Sequence, residues 1–229
     1  MDSYNLQYGD MYEADKYVKL RFRIYKSLLN PFLKNNVKLL DIGCYTADLL
    51  KLLPKYIDYY GIDYDETALE IAKKRGAKVI KLDLENEQIP LNQKFDIIVC
   101  TEILEHLKDP EKILIQIKRL LKEEGVVIIS LPNECTIYHR LKVLFGKGID
   151  GTGFAPHYHL HFPTMKQNTE FVSKHFEIIK KCYWIHTDVG SKIGCLLAKI
   201  PDNFWMRLSN LYPSLFARGI IYLVKNKIV

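Results

Sequence analysis

From residue 37 to residue 131 short apolar runs alternate with amphipathic segments, and this rhythm restricts the fold more than any other feature of the chain. The runs cover residues 37–42, 59–62, 78–82, 95–100 and 126–131. They are too continuously apolar for strands with one wet face. They fit the strands of a parallel sheet covered by helices on both sides, which makes the fold class α/β. Local chemistry frames the helices between them. Asp65 caps a helix that runs to about Arg75 and stops at Gly76. Asp109-Pro110 opens another that reaches about Lys122. Residues 47–53 are expected to form a short helix ended by Pro54. Upstream, Tyr17, Leu20, Ile24 and Leu28 stand at helical spacing before Pro31.

After Pro132 the rhythm changes. GKGIDGTGFAP, residues 146–156, holds four glycines and a proline and reads as a loop. A helix over 163–175 and a strand over 176–186 follow. Residues 187–218 are irregular and rich in large apolar groups, and 219–224 form a last strand. No repeat or linker divides the chain, so residues 1–229 are expected to form one domain. Its parts are an N-terminal helical cap (1–35), a lid loop over the substrate (133–165) and an insertion before the last strand (187–218).

Composition narrows the function classes. The formal net charge is +6, but the lysines are spread along the chain and no run of five basic residues occurs. Nucleic-acid binders concentrate such charge, so nucleic acid is disfavoured as a partner. The five cysteines are scattered without a C-x-x-C pair, as in a reduced intracellular protein. The polar, acidic start MDSYNLQYGDMYEADKYV has no apolar stretch behind a basic head. A signal peptide is not expected, and the expected location is cytoplasmic.

In an open parallel sheet, ligands sit at the carboxyl ends of the strands. Asp41, Asp63, Asp83 and Glu102 lie at or near such ends. Asp63 follows Gly43 by the roughly 20 positions that separate a glycine turn from a ribose-binding carboxylate. Its structural alternative is a cap on the next helix, a position Asp65 already fills. The turn itself, DIGCYTA, keeps only its first glycine; Tyr45 and Ala47 occupy the next two slots. A positive φ at Tyr45 would mean strain, whereas a negative one would make the ring project from the turn. Histidines offer proton acceptors near neutral pH. His106 follows Glu105, and His157, His159 and His161 alternate in PHYHLHF, on one face if that stretch is extended. Alternation alone is weak evidence for a metal, and none is expected.

The phrases LLDIGC, GID, KLDLENEQIP, FDIIVCTEILEHLKDP and EEGVVIISLPN occur in that order. Together they resemble a class I S-adenosylmethionine-dependent methyltransferase over residues 14–186. TEILEHLKDP is similar to the phrase of ubiquinone-biosynthesis-type small-molecule O-methyltransferases. The resemblance implies a Rossmann-like three-layer sandwich with a doubly wound, mostly parallel seven-stranded sheet. It implies S-adenosylmethionine as cofactor and direct transfer of its methyl group to a small-molecule acceptor, most simply at a hydroxyl oxygen. Carried onto this chain, Gly43 with Cys44 and Tyr45 lies along the methionine moiety and Asp41 faces its amino group. Asp63 takes the ribose diol, Tyr64 lies against the adenine, and Asp83 with the backbone of Leu84 meets the adenine edge. Thr101 contacts the cofactor by its backbone. Arg23 pairs with the cofactor carboxylate, with Arg21 as its substitute. HLHFPT resembles a substrate-side phrase of the family, which makes His159 and His161 acceptor-side candidates beside His106 and Glu102; Glu105 is read as structural.

Two other readings stay open: an RNA methyltransferase, and a cofactor-fold protein without activity, kept alive by the altered glycine slots. No N/D-P-P-Y/F phrase follows the fourth strand, which argues against base N-methylation. Trp205, Phe204, Leu208, Leu211, Tyr212 and Phe216 in the 187–218 segment fit core packing, a homodimer face in place of a monomer, a groove for an apolar or lipid-linked acceptor, or a peripheral membrane contact.

Overall fold

The computed structural model describes residues 16–148, 159–185 and 200–227. One seven-stranded sheet runs through them in the order β3-β2-β1-β4-β5-β7-β6. The strands are β1 (Lys38–Ile42), β2 (Asp58–Asp63), β3 (Lys78–Lys81), β4 (Phe95–Thr101), β5 (Leu121–Pro132), β6 (Phe176–Trp184) and β7 (Gly219–Asn226). The first five pair in parallel, while β7 runs antiparallel between β5 and β6. The helices are α1 (Lys16–Leu29), α2 (Glu66–Lys74), α3 (Pro110–Leu120), α4 (Ile137–Leu144), α5 (Met165–His175), α6 (Asp202–Leu211) and α7 (Pro213–Phe216).

Alternate residues of each central strand go to opposite faces, as the pleat requires. Leu40, Ile42, Ile98, Val127 and Ile129 join a cluster with Ile113, Leu114 and Ile117 of α3 and Val172 of α5. Leu39, Val99, Ile128 and Ile221 join a second cluster with Tyr25, Leu28 and Leu29 of α1 and Ala72 of α2. Leu29, Leu39 and Leu40 have no exposed surface. Each such side chain contributes about 1.5–3 kcal/mol of hydrophobic stabilisation. Both faces are therefore dry, and the continuous apolar runs follow from that.

The caps fall where the sequence places them. The Asp65 carboxylate accepts from the Ala68 N–H at 3.0 Å, and Gly76 takes φ 99° just after α2. Pro110 occupies the first turn of α3. Three expectations need correction. Residues 47–53 do not form an α-helix; Asp48–Leu52 is a 3₁₀ segment, because Ala47 enters it at φ 55° and ψ 45°. The 133–165 stretch is not simply a loop: Thr136 caps α4 by accepting from the His139 N–H. The 187–218 stretch is not irregular throughout, since α6 and α7 occupy Asp202–Phe216. The glycine-rich 149–158 and the 186–199 segment, with His157, lie outside the described residues.

Candidate active site

The turn after β1 determines the site's shape. The N–H groups of Gly43 and Cys44 both donate to the Ile62 carbonyl of β2, at 2.8 and 3.0 Å. Gly43, Tyr45 and Ala47 then alternate through left-handed conformations, with φ of 75°, 46° and 55°. A Cβ on Gly43 would lie 2.0 Å from Ile103 Cδ1, so only glycine fits there without displacing that side chain. All three slots thus keep the geometry of a glycine turn while two of them carry side chains, and the strain alternative for Tyr45 is the one realised. Cys44 is buried, and burial pushes its thiol up.

Three carboxylates surround this turn. Asp63 is buried and accepts the Tyr45 N–H at 2.7 Å and the Asp65 N–H at 3.0 Å, while burial raises its pKa against these bonds. Asp41 is buried and accepts the Tyr59 hydroxyl. Burial pushes its pKa up to about 7 in spite of that bond. Asp83 is exposed and committed to its own turn. It accepts the Asn86 amide at 2.8 Å and the Glu85 N–H at 2.9 Å, and these bonds hold its carboxyl below the usual range.

Two connected cavities meet at Gly43, Asp63, Tyr64 and Ile103. One, of 640 Å³, is also lined by Asp83, Leu84, His106 and Leu107. The other, of 570 Å³, is lined by Arg21, Tyr25, Asp41, Tyr45, Thr101 and Glu102. Their volumes fall in the usual range for a bound small molecule or cofactor. Tyr64 is 73% exposed and stands between them. Nine of the ten cofactor-side positions named from the sequence line these cavities; Arg23 does not. Arg23 is exposed on α1, and Arg21 reaches the cleft in its place. Arg21 pairs with Glu102, and its guanidinium lies 4.8 Å from the Trp184 ring centroid. Glu102 takes φ 56°; its N–H donates to Ser130 Oγ at 3.0 Å, and the Ser130 hydroxyl returns a bond to Glu102 Oε1 at 2.6 Å.

Beside the cleft the histidine candidates divide. His161 donates from Nε2 to the Leu107 carbonyl at 2.7 Å, a structural contact. His159 places Nδ1 2.7 Å from Glu134 Oε1. An ionised carboxylate only accepts, so Nδ1 carries the hydrogen of this bond. Burial would raise the Glu134 pKa, but the His159 bond, Arg218 and His139 outweigh it and hold it below the ordinary value. His139 is itself held low by burial and by Arg218, whose guanidinium donates to His139 Nε2 at 3.1 Å. The His159 and His106 rings meet edge to face at 4.9 Å. One oxygen of Glu105 and one ring nitrogen from each of these histidines lie within 4.8 Å of one another. Glu105 is 2% exposed, and neither carboxylate oxygen has a hydrogen-bond partner among the described residues. Burial drives its pKa well above the ordinary carboxylate range. A third cavity, of 430 Å³, adjoins it, with Leu104, Leu131, Phe162 and Phe171 as apolar walls.

Sequence reasoning missed Glu134, Ser130 and Tyr59. Glu134 follows the end of β5 as Asp41, Asp63 and Glu102 lie at the ends of their strands, so the same carboxyl-end rule finds it.

Comparison with known proteins agrees with this geometry. Residues 17–174 match a family model described as a methyltransferase domain. The ubiquinone biosynthesis O-methyltransferase of Rickettsia canadensis is 27% identical over 164 residues, 70% of this chain and 62% of that protein. The enzyme of the same name from Glaesserella parasuis is 29% identical over 181 residues, 74% of this chain and 72% of that protein. This chain thus spans somewhat less than two thirds of the Rickettsia protein. Among solved structures, magnesium protoporphyrin IX methyltransferase from Synechocystis, with bound S-adenosylhomocysteine, superposes with a TM-score of 0.62 at 13% identity. The match covers 91% of this chain and 83% of that one. The N-methyltransferase NodS from Bradyrhizobium japonicum superposes with a TM-score of 0.61 at 14% identity, covering 95% and 91%. The family model spans more than half of the chain, from α1 to α5, and includes the whole cleft: the chain belongs to the methyltransferase-domain family, in its class I, S-adenosylmethionine-dependent form.

Proposed function

We propose that the protein methylates a hydroxyl oxygen of a small, largely apolar acceptor. The observation that carries this reading is the Glu134–His159 contact of 2.7 Å beside the cleft. A neutral amine attacks through its own lone pair and sheds a proton only after transfer, whereas a hydroxyl becomes a good nucleophile when a positioned base takes its proton during transfer.

The residues present fit the family's cofactor. Gly43 leaves open backbone, the Asp63 carboxylate faces both cavities, and Arg21 supplies a cation between carboxylates. Arg21 would hold the cofactor carboxylate, Asp41 and the Gly43–Tyr45 backbone its amino end, Asp63 its ribose, and Tyr64, Asp83 and Leu84 its base, with the Thr101 backbone alongside. S-adenosylmethionine, when bound, supplies a methyl group on a positively charged sulfur. Little else is asked of the chain than alignment, exclusion of water and removal of one proton. His159 takes the hydroxyl proton at Nε2, and Glu134 holds the resulting imidazolium. Such a positioned base is worth about 10²–10⁴-fold in rate.

Apolar character in the acceptor is supported by exposed apolar residues on α4 and α6. Leu144 and Phe145, at the end of α4, are each 75% exposed and Leu211 is 70% exposed, with Arg140 and Lys142 one turn earlier on α4. That pattern suits an acceptor, free or lipid-linked, that is taken from an apolar phase.

The test is transfer of labelled methyl from S-adenosylmethionine to fractionated small-molecule extract. An O-methyl product is expected, with transfer lowered about 100-fold in His159→Gln and Glu134→Gln while S-adenosylhomocysteine still binds by calorimetry. An N-methyl or RNA product, or wild-type rates in both variants, overturns the reading. Folded wild-type protein that binds no S-adenosylhomocysteine would support the inactive alternative.

A further inference from the structure

Arg21 is the one cationic residue lining the cavity that also holds Asp41, Asp48, Asp63, Asp65 and Glu102, among the described residues. It is committed to Glu102 and rests against Trp184. Glu102 is an unusual partner. Its backbone sits at φ 56°, a conformation that costs roughly 1–3 kcal/mol unless the surroundings hold it. Ser130 does the holding, by accepting its N–H and donating to Oε1. The carboxylate is thus aimed by two strand ends at the same cation that a cofactor carboxylate would need.

We infer that Arg21 is shared between Glu102 and the cofactor's carboxylate, so that Glu102 lowers cofactor affinity and is released toward the acceptor only when the cofactor is seated. This rests on the methyltransferase reading of the cleft and adds a role for Glu102 within it. While Arg21 faces Glu102, the carboxylate is neutralised and the acceptor side lacks a free anion. When Arg21 faces the cofactor carboxylate, Glu102 keeps only its Ser130 bond on Oε1, and Oε2 is left to accept a hydroxyl or cationic group. Binding of the two substrates is coupled through one guanidinium, and by linkage the coupling is reciprocal. A guanidinium suits such an exchange, because its several N–H donors can serve one carboxylate and then the other.

The experiment is calorimetric titration of S-adenosylhomocysteine, which carries the carboxylate without the sulfonium, into wild type, Glu102→Gln, Arg21→Gln and the double variant. Glu102→Gln is expected to tighten binding about three- to fivefold, the range for a partly exposed ion pair. Arg21→Gln is expected to weaken it about tenfold, and adding Glu102→Gln to Arg21→Gln should then change nothing. Circular dichroism confirms that each variant is folded. Unchanged or weaker binding in Glu102→Gln overturns the inference. So does tightening of equal size in the Arg21→Gln background, which would show a through-space charge effect and no sharing. Wild-type protein that binds no S-adenosylhomocysteine would remove the methyltransferase reading itself, a result distinct from either.

Discussion

Tyr45→Gly relieves a conformation that tyrosine tolerates poorly. Tyr45 sits at φ 46°, where an L-residue loses about 1–2 kcal/mol to the clash of Cβ with the backbone. Glycine avoids that cost but gains freedom in the unfolded chain, which gives back about 0.4–1 kcal/mol. The backbone terms alone favour the variant by about 0.5–1 kcal/mol, or roughly 1–4 °C in Tm for a domain of this size, and the lost contacts of the half-buried ring offset part of that. The hydrogen bond to Asp63 survives, since it uses the backbone N–H. Ala47→Gly is the internal control. Ala47 stands at φ 55° but is fully buried, so the lost methyl costs about 0.8 kcal/mol and cancels the relief. Thermal unfolding should therefore rank Tyr45→Gly above wild type and Ala47→Gly beside it. S-adenosylhomocysteine affinity should stay level or improve in Tyr45→Gly as the channel widens. A Tm that falls by several degrees with folded protein would refute the strain argument. A more than tenfold loss of affinity, about 1.4 kcal/mol, would show that the ring itself contacts the ligand.

Asp41 binds a proton in the folded apo-protein up to about pH 7, against an ordinary value of 3.8, so stability should fall as pH rises through that window. The full difference is worth about 4 kcal/mol at most, and Asp41→Asn should flatten the slope of urea unfolding between pH 5 and pH 8; an unchanged slope would place the effect elsewhere. Gly43→Ala puts a methyl 2.0 Å from Ile103 Cδ1 at φ 75° and should cost about 2–3 kcal/mol while abolishing cofactor binding. Adding Ile103→Ala should recover part of the stability, and no recovery would mean that backbone strain alone sets the cost. On vesicles with anionic lipid at low salt, wild type should float, and Leu144→Asp with Phe145→Asp should abolish it; flotation unchanged by both substitutions would exclude α4 as the contact.

Much of this architecture is legible before any coordinates because burial on both faces leaves a strand no choice of composition. The runs ending at Ile42, Asp63 and Cys100 were visible for that reason, and so were the capping residues Asp65, Gly76 and Pro110, whose chemistry is local. The 47–53 segment was not, because a helix start and a left-handed entry at Ala47 share the same small residue. Arg21 and Arg23 show what helical geometry adds to a motif. The apolar face through Tyr17, Ile24 and Leu28 passes Arg21, four residues after Tyr17, and turns Arg23 to solvent. Reading the arginine by motif position alone gave the exposed one. Glu134 and Ser130 escaped because their roles depend on what stands beside β5: Ser130 on its register with Thr101 in β4, and Glu134 on a histidine 25 residues further along.

The positive-φ residues other than glycine make the relation between strain and site specific. Four are present among the described residues: Asn36, Tyr45, Ala47 and Glu102. Three of them belong to the two turns that bound the cofactor cleft, after β1 and after β4. Each of these three has its N–H fixed by a nearby acceptor. Tyr45 donates to Asp63 at 2.7 Å, Ala47 to the Cys44 carbonyl at 2.7 Å, and Glu102 to Ser130 Oγ at 3.0 Å. Strain that merely accumulated would not be matched by a partner each time. The bonds hold the backbone where it is costly, and the gain is directional: Asp63 is pinned across the cleft, and Glu102 is turned toward Arg21. The two packed faces of the sheet supply the stability that this arrangement spends. A glycine at position 45 would recover some of that stability while leaving the Asp63 bond in place, whereas loss of Ser130 would release Glu102 from the geometry that lets it compete for Arg21.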